Sequence, residues 1–458
     1  MLSQEKNIRL THTGPNTAMG AVFRQYWIPV LLSRQLPEPD GSPVRVKVLG
    51  EDLLAFRATD GQVGLVSPRC PHRGADLYFG RNEEQGIRCS YHGWKFDLQG
   101  ECVHMPTSDD KIYCKVKDRA RITAYPVREW GDMLWAYMGP LDSPELPLME
   151  FALVPANHRY VSKKLQECNW AQAAEGGIDT AHFSFLHQPI ANSEKEWSDK
   201  SARMTRGYSS KTMNHEHLQW MKEDAQPQYE VHRHGAGLVL GGSRKANPGE
   251  RYWRVAQYLM PCHGYTPSAM PGQNYFGQSW VPIDEYSCWI YVYAWNPERP
   301  LTQEEISLYK TGGAVFSETD SSFVPLRRRD NEYLMDRIRQ KHENFTGIEG
   351  VSEQDAAIQD SQGTIADRTR ELLGPTDIGV VRFRQLMLES ADQVKQSIPP
   401  LGSNNPSAYM VRAGAQVAPE NLNMTEVMTM RFGDPIGYVT DSPATNTEQL
   451  QEIKSITN

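Results

Sequence analysis

Two cysteine–histidine pairs in the N-terminal third of the chain have the residue types and the spacing of a metal site. One residue separates Cys70 from His72, two residues separate Cys89 from His92, and sixteen residues lie between the two pairs. If each pair lies at the tip of a β-hairpin, the two tips can bind one metal centre from two sides. Two kinds of centre take this donor set: a zinc ion with two Cys and two His ligands, or a two-iron, two-sulfide cluster with both cysteines on one iron and both histidines on the other.

The way in which the donors are shared between the two hairpins favours the cluster. Zinc ribbons typically place two cysteines on one knuckle, whereas each pair here supplies one Cys and one His. Neutral imidazoles in place of two thiolates make a cluster less negative, which raises its reduction potential relative to an all-cysteine cluster. The chain is therefore predicted to carry an electron-transfer centre in this region.

A second group of metal-ligating residues lies at the end of an alanine-rich stretch, residues 169–186, that is predicted to be helical. Asp179 and His182 are three residues apart and share a helix face. On a continuous helix His187 would be about 140° out of phase with His182. Both imidazoles can therefore reach one metal only if the helix bulges or ends between residues 183 and 186.

Two histidines and one carboxylate, with open coordination positions, are typical ligands of the non-haem Fe(II) centres that activate O₂. The carboxylate is either Asp179 or a residue far downstream. In the downstream segment, residues 350–363, Asp355 is the preferred candidate and Asp360 is its rival.

The strand and helix patterns place the two groups in different domains. A length of 458 residues suggests two or three domains. Residues 40–140 read as an all-β domain, with strands VRVKVLG, DLLAFRAT and VGLV and a hairpin turn at Asp60-Gly61. The proline-rich segment 139–155 reads as a linker, and the remainder as an α+β domain. Its predicted strands are LVLGG, YWRVAQYLM and CWIYVYAW, and its predicted helices are 303–310, 321–342 and 363–373, with 445–458 a short helix or a frayed end.

Composition excludes several classes of protein. The formal net charge is −8, which argues against binding to nucleic acid or to anionic membranes. No apolar run approaches the ~20 residues that a membrane span needs, and the N-terminal residues lack the apolar stretch of a secretory signal. A cytoplasmic protein is therefore expected. The seven cysteines, an odd number without a secretory signal, argue against a disulfide framework.

The two groups together resemble the large (alpha) subunit of the Rieske non-haem iron aromatic ring-hydroxylating oxygenases, over about residues 14–388. The first group resembles the Rieske signature through Pro71, Gly74 and the run Tyr91-His92-Gly93-Trp94. Residues 14–57 and the run WNPERPLT are similar to the phthalate dioxygenase-like branch. The resemblance implies an N-terminal Rieske [2Fe-2S] domain with an N-terminal extension, residues 1–145. It also implies a catalytic domain of the helix-grip kind, a curved antiparallel sheet with helices, over residues 146–458.

The resemblance also implies a role for each candidate residue. The [2Fe-2S] cluster would be bound by Cys70, His72, Cys89 and His92, and the mononuclear Fe(II) by His182, His187 and Asp355. Asp179 would bridge the two metals across a subunit boundary and carry the electron. Such subunits assemble as trimers or pairs of trimers. No dinucleotide-binding motif is visible, so the electrons of NADH would arrive through a separate reductase with flavin and an iron–sulfur cluster.

The implied reaction is cis-dihydroxylation of an aromatic carboxylate of the phthalate, isophthalate or benzoate type. Arg suits a carboxylate because its guanidinium donates two parallel hydrogen bonds. Arg244, after a glycine-rich strand end, is the first candidate for this contact, and Arg206 is the second. Two alternatives stay open: a Rieske monooxygenase that removes an O-alkyl group from an aromatic or other small molecule, and a Rieske electron-transfer protein without mononuclear iron.

Overall fold

The structure is a computed structural model that describes residues 1–140, 142–206, 215–267 and 269–440. The predicted C-terminal element, 445–458, lies outside these residues. Within the described part of the chain no helix is long and apolar enough to cross a membrane.

Eleven short strands precede residue 140 and form three antiparallel sheets. The strands are β1 (Trp27–Leu32), β2 (Val44–Val48), β3 (Glu51–Arg57), β4 (Val63–Val66), β5 (Arg81–Glu83), β6 (Gly86–Arg88), β7 (Lys95–Phe96), β8 (Cys102–His104), β9 (Ala124–Tyr125), β10 (Val127–Trp130) and β11 (Met133–Tyr137). The sheet orders are β2-β3-β4-β9, β5-β6-β7-β8 and β1-β11-β10. The predicted hairpin is confirmed, since β3 and β4 pair across a turn in which Gly61 has a φ of 88°.

The first two of these sheets share a small hydrophobic core. Leu54, Phe56 and Val66 from one sheet pack with Ile87 and Phe96 from the other. The third sheet belongs to a different core, because Trp135 on β11 is part of the large cluster that continues through the second half of the chain. The loops that carry the Cys/His pairs therefore rest on a compact all-β unit.

Eight further strands form one antiparallel sheet in the order β12-β18-β17-β16-β15-β14-β13, with β19 paired to β15. The strands are β12 (Arg159–Gln166), β13 (Gln228–His234), β14 (Gly237–Lys245), β15 (Glu250–Leu259), β16 (His263–Tyr265), β17 (Tyr275–Pro282), β18 (Cys288–Trp295) and β19 (Gly414–Pro419). Paired residues point to the same face of a sheet. Lys164, Ile290 and Trp280 are paired in succession across β12, β18 and β17, so their side chains share the face that lines the cavity described below.

The described residues contain twelve α-helices. They are α1 (Gln4–Thr11), α2 (Ala18–Phe23), α3 (Asp110–Val116), α4 (Glu150–Leu153), α5 (Trp170–Ile178), α6 (Glu194–Met204), α7 (His215–Glu223), α8 (Gln303–Lys310), α9 (Arg337–His342), α10 (Val351–Ser361), α11 (Ile378–Lys395) and α12 (Met424–Phe432). Helices α5 and α10 contact each other, and α5 also contacts β15, β16 and β17. This layer of helix on sheet confirms the predicted α+β class.

Two of the helix predictions were wrong. The helix predicted for 321–342 is present only as α9, preceded by a 3₁₀ segment, Arg329–Leu334, in which Glu332, Tyr333 and Leu334 have φ near +50°. Side chains with a Cβ rarely adopt this left-handed conformation, and it interrupts the helix. Residues 363–373 contain no helix, and the neighbouring segments form α10 and α11 instead.

Candidate metal centres and cavity

The two Cys/His loops have the same backbone fold. In each loop the carbonyl of the cysteine accepts a hydrogen bond from the amide of a glycine four residues later: Gly74 N to Cys70 O at 2.8 Å, and Gly93 N to Cys89 O at 2.9 Å. Gly74 and Gly93 have φ of +73° and +75°. A side chain at these positions would strain the turn, which explains why glycine closes both loops.

The two loops bring their four side chains together. The His72 and His92 rings are 4.5 Å apart between centroids, and Trp94 stacks on His72 at 4.6 Å. Both cysteines are buried, and burial raises the pKa of Cys70 to about 11. His92 Nδ1 is buried and has no hydrogen-bond partner among the described residues. A buried unpaired imidazole nitrogen beside two thiols fits a [2Fe-2S] cluster held by two Cys and two His.

The second group also converges on one point. Each of His182, His187 and Asp355 offers one ligand atom, and the three atoms lie within 4.8 Å of one another. Asp355 Oδ1 is 3.5 Å from His182 Nε2 and 3.2 Å from His187 Nε2. Both Nε2 atoms are buried without a hydrogen-bond partner in the described part of the chain. Two imidazoles and a carboxylate on one side of an open cavity fit a mononuclear Fe(II) ion.

The rival carboxylate lies elsewhere. Asp360 is five residues beyond Asp355 on α10, about 140° further round the helix, and its Oδ2 accepts a hydrogen bond from Tyr333. Residues separated by five positions on a helix do not share a face. The structure therefore brings Asp355, and not Asp360, to the two histidines.

The turn after α5 explains how His187 reaches the same point as His182. The alanine-rich helix ends at Ile178, eight residues earlier than predicted, and a 3₁₀ turn at His182–Ser184 follows. Asp179 fixes this turn, since its Oδ1 accepts from Ala181 N at 2.7 Å and its Oδ2 accepts from His182 N at 3.3 Å. The helix thus ends well before residue 183. The turn that follows it places His187 beside His182 and Asp355.

Neighbouring side chains orient both imidazoles. Asp179 Oδ2 lies 3.3 Å from His182 Nδ1, and Gln354 Oε1 lies 2.7 Å from His187 Nδ1. Each contact leaves Nε2 facing Asp355, as metal-binding histidines require. Burial opposes ionisation of Asp179, but the His182 imidazole and the backbone donors outweigh burial and lower the pKa of Asp179. Tyr229 donates a further hydrogen bond to Thr180 Oγ1 at 3.0 Å beside this carboxylate.

A cavity of about 910 Å³, counted out to its open mouth, adjoins the three converging residues. Its wall is mostly apolar and includes Ile178, Ala256, Trp280 and Ile290. Two glycines of α5 make room for this wall: a Cβ on Gly177 would lie 2.1 Å from Trp280 Cζ2, and a Cβ on Gly176 would lie 2.1 Å from Gln359 Nε2. This space is called the catalytic cavity below.

The catalytic cavity has two buried cations in its wall, Lys164 and Arg254. Lys164 Nζ donates to Ser352 Oγ at 2.6 Å and to Ser352 O at 3.0 Å. Arg254 is 1% exposed, and its Nε and Nη1 atoms have no hydrogen-bond partner among the described residues. Its guanidinium carbon lies 4.2 Å from the centroid of the Phe183 ring, next to His182. A buried guanidinium without a carboxylate is costly, and this one lines the catalytic cavity.

The arginines chosen from the sequence lie outside the catalytic cavity wall. Arg244 is fully buried and donates to Thr180 O at 2.7 Å and to Asp224 O at 3.1 Å. Arg206 donates to Thr311 O and pairs with Glu318 at 3.0 Å. Arg254 did not stand out in the sequence, because strand β15 also carries Glu250, Arg251 and Gln257.

Comparison with known proteins identifies the family. Residues 26–126 match the Rieske [2Fe-2S] domain, and residues 136–426 match the family described as LigXa C-terminal domain like. The chain is 37% identical over 400 residues to the phthalate 4,5-dioxygenase oxygenase subunit of Pseudomonas putida, an alignment that covers 85% of this chain and 86% of that protein. The chain belongs to the Rieske oxygenases.

Other Rieske oxygenase subunits match over similar lengths. The 3-chlorobenzoate-3,4-dioxygenase oxygenase subunit of Comamonas testosteroni is 34% identical over 94% of this chain and 99% of that protein. The 5,5'-dehydrodivanillate O-demethylase oxygenase subunit of a Sphingobium strain is 32% identical over 87% and 83%. The terminal oxygenase of carbazole 1,9a-dioxygenase from Nocardioides aromaticivorans has the same fold, with a TM-score of 0.53 at 17% identity over 88% of this chain and 98% of that chain.

These findings confirm the predicted family, the fold class and the cofactors. The protein is an oxidoreductase of the phthalate dioxygenase-like Rieske oxygenases, with a Rieske [2Fe-2S] cluster and a mononuclear iron. The electron-transfer reading without mononuclear iron is disfavoured, since the relatives are oxygenase subunits over nearly their whole length.

Proposed function

We propose that this chain is the oxygenase component of a dioxygenase that cis-dihydroxylates an aromatic carboxylate of the phthalate, isophthalate or benzoate type. Two relatives that match over most of the chain are named as dioxygenases of phthalate and of 3-chlorobenzoate. Their names support an aromatic acid as the substrate class, and the shape and charge of the catalytic cavity support it independently.

The observation that carries the proposal is Arg254. This guanidinium is buried and has no carboxylate partner among the described residues, and it forms part of an otherwise mostly apolar cavity wall. A substrate carboxylate would complete its hydrogen bonds, while an aromatic ring would pack against Trp280 and Ile290. Because Arg254 lies on Phe183, which is next to His182 in the chain, a ring anchored there is held beside the three converging residues. Positioning of this kind selects which ring edge reacts.

Each metal-binding residue takes one role in this proposal. The [2Fe-2S] cluster is bound by Cys70, His72, Cys89 and His92, and the mononuclear iron by His182, His187 and Asp355. When bound, the cluster supplies electrons one at a time and the iron supplies O₂ activation. Asp179 and Gln354 hold the two imidazoles with Nε2 toward the metal, and the apolar wall keeps bulk water from the reacting ring.

The proposal includes partners. Asp179 is about one-quarter exposed at its side chain, which suits a contact with the cluster domain of a neighbouring subunit. Asp179 then carries the electron across the subunit boundary in a homotrimer or a pair of trimers. The electrons come from NADH through a separate reductase that contains flavin and an iron–sulfur cluster.

One observation favours a second candidate, O-demethylation. The named O-demethylase subunit matches 87% of this chain at 32% identity. The same metal ligands and the same Arg254 anchor would serve that reaction, with a methoxy carbon instead of a ring edge placed at the iron.

A single-turnover experiment separates the two candidates. The purified protein is reduced chemically and mixed with O₂ and one of phthalate, isophthalate, terephthalate, benzoate or a methoxybenzoate, and the products are identified by mass. We expect a dihydrodiol from at least one acid. Formaldehyde with a phenol would establish the demethylase, and no product from any acid, with the cluster reoxidised, would refute the carboxylate substrate. The methyl ester of the reactive acid is the matched control, since it keeps the ring and loses the charge.

A further inference from the structure

A second cavity lies on the other side of Lys164 from the catalytic cavity. It has a volume of about 460 Å³, counted out to its open mouth, and is called the side chamber. Its polar lining residues include Lys164, Glu167, Ser317, Arg328, Glu353 and Asp360. The Arg328 side chain is 37% exposed, so the side chamber borders bulk solvent. Lys164 lines both cavities.

The carboxylates of the side chamber indicate that it holds water. One oxygen of Glu167, one of Asp360 and both oxygens of Glu353 are buried without a hydrogen-bond partner among the described residues. Asp360 is 5% exposed. Buried carboxylate oxygens are costly unless a donor satisfies them, and a polar cavity of this size has room for several water molecules. The arginines of the chamber are paired elsewhere, Arg328 with Asp330 and Arg327 with Glu318 and Glu349, which leaves water as the donor.

Two serines connect the side chamber to the catalytic cavity. Ser317 lines the side chamber and donates a hydrogen bond to Ser352 Oγ at 3.1 Å. Ser352 lines the catalytic cavity, and its Oγ also accepts from Lys164 Nζ at 2.6 Å. Two accepted hydrogen bonds occupy the lone pairs of Ser352. No described residue accepts its own hydroxyl proton, so that proton can be donated into the catalytic cavity.

We propose that Ser317 and Ser352, oriented by Lys164, conduct protons from the water of the side chamber into the catalytic cavity. A chamber water gives a proton to Ser317, Ser317 gives its proton to Ser352, and Ser352 gives its proton to a water or an oxygen atom in the catalytic cavity. Each hydroxyl gains one proton and loses one, so both residues are restored by a reorientation. Lys164 is a positioning residue, since its ammonium group fixes Ser352 and leaves a single direction for donation.

The reaction requires such a supply. This inference rests on the proposed function, in which one aromatic ring, O₂, two electrons and two protons give one cis-dihydrodiol. NADH releases one proton at the reductase when its two electrons leave, and solvent supplies the other. Both protons must then enter a cavity with a mostly apolar wall. Reduction of O₂ to hydrogen peroxide without substrate also takes up two protons for two electrons, so it tests the same route.

The test compares Ser352→Ala, Ser352→Thr and Ser317→Ala with the wild-type holoprotein. Chemically reduced protein is mixed with O₂ in H₂O and in D₂O, and two rates are followed: dihydrodiol formation with an aromatic acid, and peroxide release without one. We expect both alanine variants to lose roughly tenfold in each rate, with a changed solvent isotope effect. Ser352→Thr keeps a hydroxyl and should retain the wild-type rate and isotope effect. Ser361→Ala, an exposed position on the same helix, is the matched control.

Two results would overturn the relay. The first is a Ser352→Ala protein with the wild-type rates and the wild-type isotope effect. The second concerns hydration and needs no turnover: a crystal structure of the resting holoprotein should show ordered waters bonded to Glu167 and Asp360, and a dry side chamber would exclude it as a proton source. A wild-type protein that releases peroxide but converts no acid would refute the proposed substrate, while the peroxide rates of the serine variants would still decide the relay.

Discussion

Gln354, the residue before Asp355 in the chain, has its Oε1 2.7 Å from Nδ1 of His187. The amide is itself held in place, because Gln354 Nε2 donates to Ile348 O at 2.9 Å. An amide oxygen only accepts hydrogen bonds, so His187 carries a proton on Nδ1, and in the neutral imidazole this tautomer presents the lone pair of Nε2 to a metal. Helix α10 thus supplies both the carboxylate of Asp355 and Gln354, the residue that orients the imidazole of His187.

Replacement of Gln354 should weaken iron binding selectively. We expect Gln354→Leu to reduce the affinity for the mononuclear iron by about 10–100-fold, the usual cost of losing a partner of this kind. Iron analysis and the visible spectrum of the cluster measure the two metals separately: iron content should fall while cluster absorbance stays constant. Gln396→Leu, at an exposed position after α11, is the control. Full iron occupancy in Gln354→Leu after dialysis against a chelator would contradict this role.

Substitution of Arg254 should change substrate affinity through charge. We expect Arg254→Gln to raise the KM for the aromatic acid by about 10–100-fold, since charge-assisted hydrogen bonds contribute about 1.5–3 kcal/mol. The methyl ester of the acid should be affected far less, because it has no charge to pair. Steady-state kinetics with both compounds check the prediction. An equal loss for acid and ester would show that Arg254 shapes the cavity without binding the carboxylate.

Substitution of Arg244 should have a different effect. Arg244 is fully buried and donates to two backbone carbonyls, of Thr180 and Asp224. Arg244→Gln would leave these carbonyls unpaired, each at a cost of about 1–3 kcal/mol. We therefore expect a lower free energy of unfolding in urea, with the KM of the acid close to that of the wild type. A raised KM at wild-type stability would return Arg244 to the substrate site.

Local spacing explains which parts of the site could be foreseen from the sequence. The cluster loops are each five residues long, and the Asp179–His187 segment spans nine, so residue order alone places their side chains near one another. Asp355 is 168 positions beyond His187. No spacing rule relates two segments so far apart, and the prediction of Asp355 rested on the family resemblance more than on spacing.

The position of Arg254 in the cavity wall could not be foreseen for a different reason. The strand pattern shows that Arg254 and Ala256 share one face of β15, but it does not show which face the helices cover. The same limit applies to the helices after residue 320. The segments there that form helices and those that do not have similar apolar patterns. Glu332 and Tyr333 interrupt the expected helix in a left-handed conformation, and neither is a glycine, the residue type that would have indicated such a conformation in the sequence.

Acid should destabilise the protein through His263. Burial lowers the pKa of His263 to about 3, against an ordinary value of 6.5. The unfolded chain therefore binds the proton that the folded chain excludes, and stability falls as pH drops below about 6.5, by about 1.4 kcal/mol per pH unit for this group. His263→Gln removes this contribution. Urea unfolding at pH 7.5 and pH 5.0 should show a smaller loss in the variant, and parallel losses would contradict the assignment.

The largest loss of stability should follow from Glu175. Its buried carboxylate pairs with Arg368 at 3.0 Å and with Arg384 at 2.7 Å, and Arg368 is completely buried. Burial opposes ionisation of Glu175, but the two guanidinium groups outweigh burial and lower the pKa of Glu175. Glu175→Gln keeps the size of the side chain but removes the negative charge that lies between the two buried guanidinium groups.

We expect Glu175→Gln to lower the free energy of unfolding by about 3–5 kcal/mol, the cost of removing one partner from a buried ion pair. Glu371→Gln is the control, because Arg384 is the only ion-pair partner of Glu371 among the described residues and Glu371 is 25% exposed, so its loss should be much smaller. Urea unfolding of both variants, followed by circular dichroism, measures the difference. Similar small losses in the two variants would mean that solvent reaches Arg368 and compensates its charge, contrary to its complete burial.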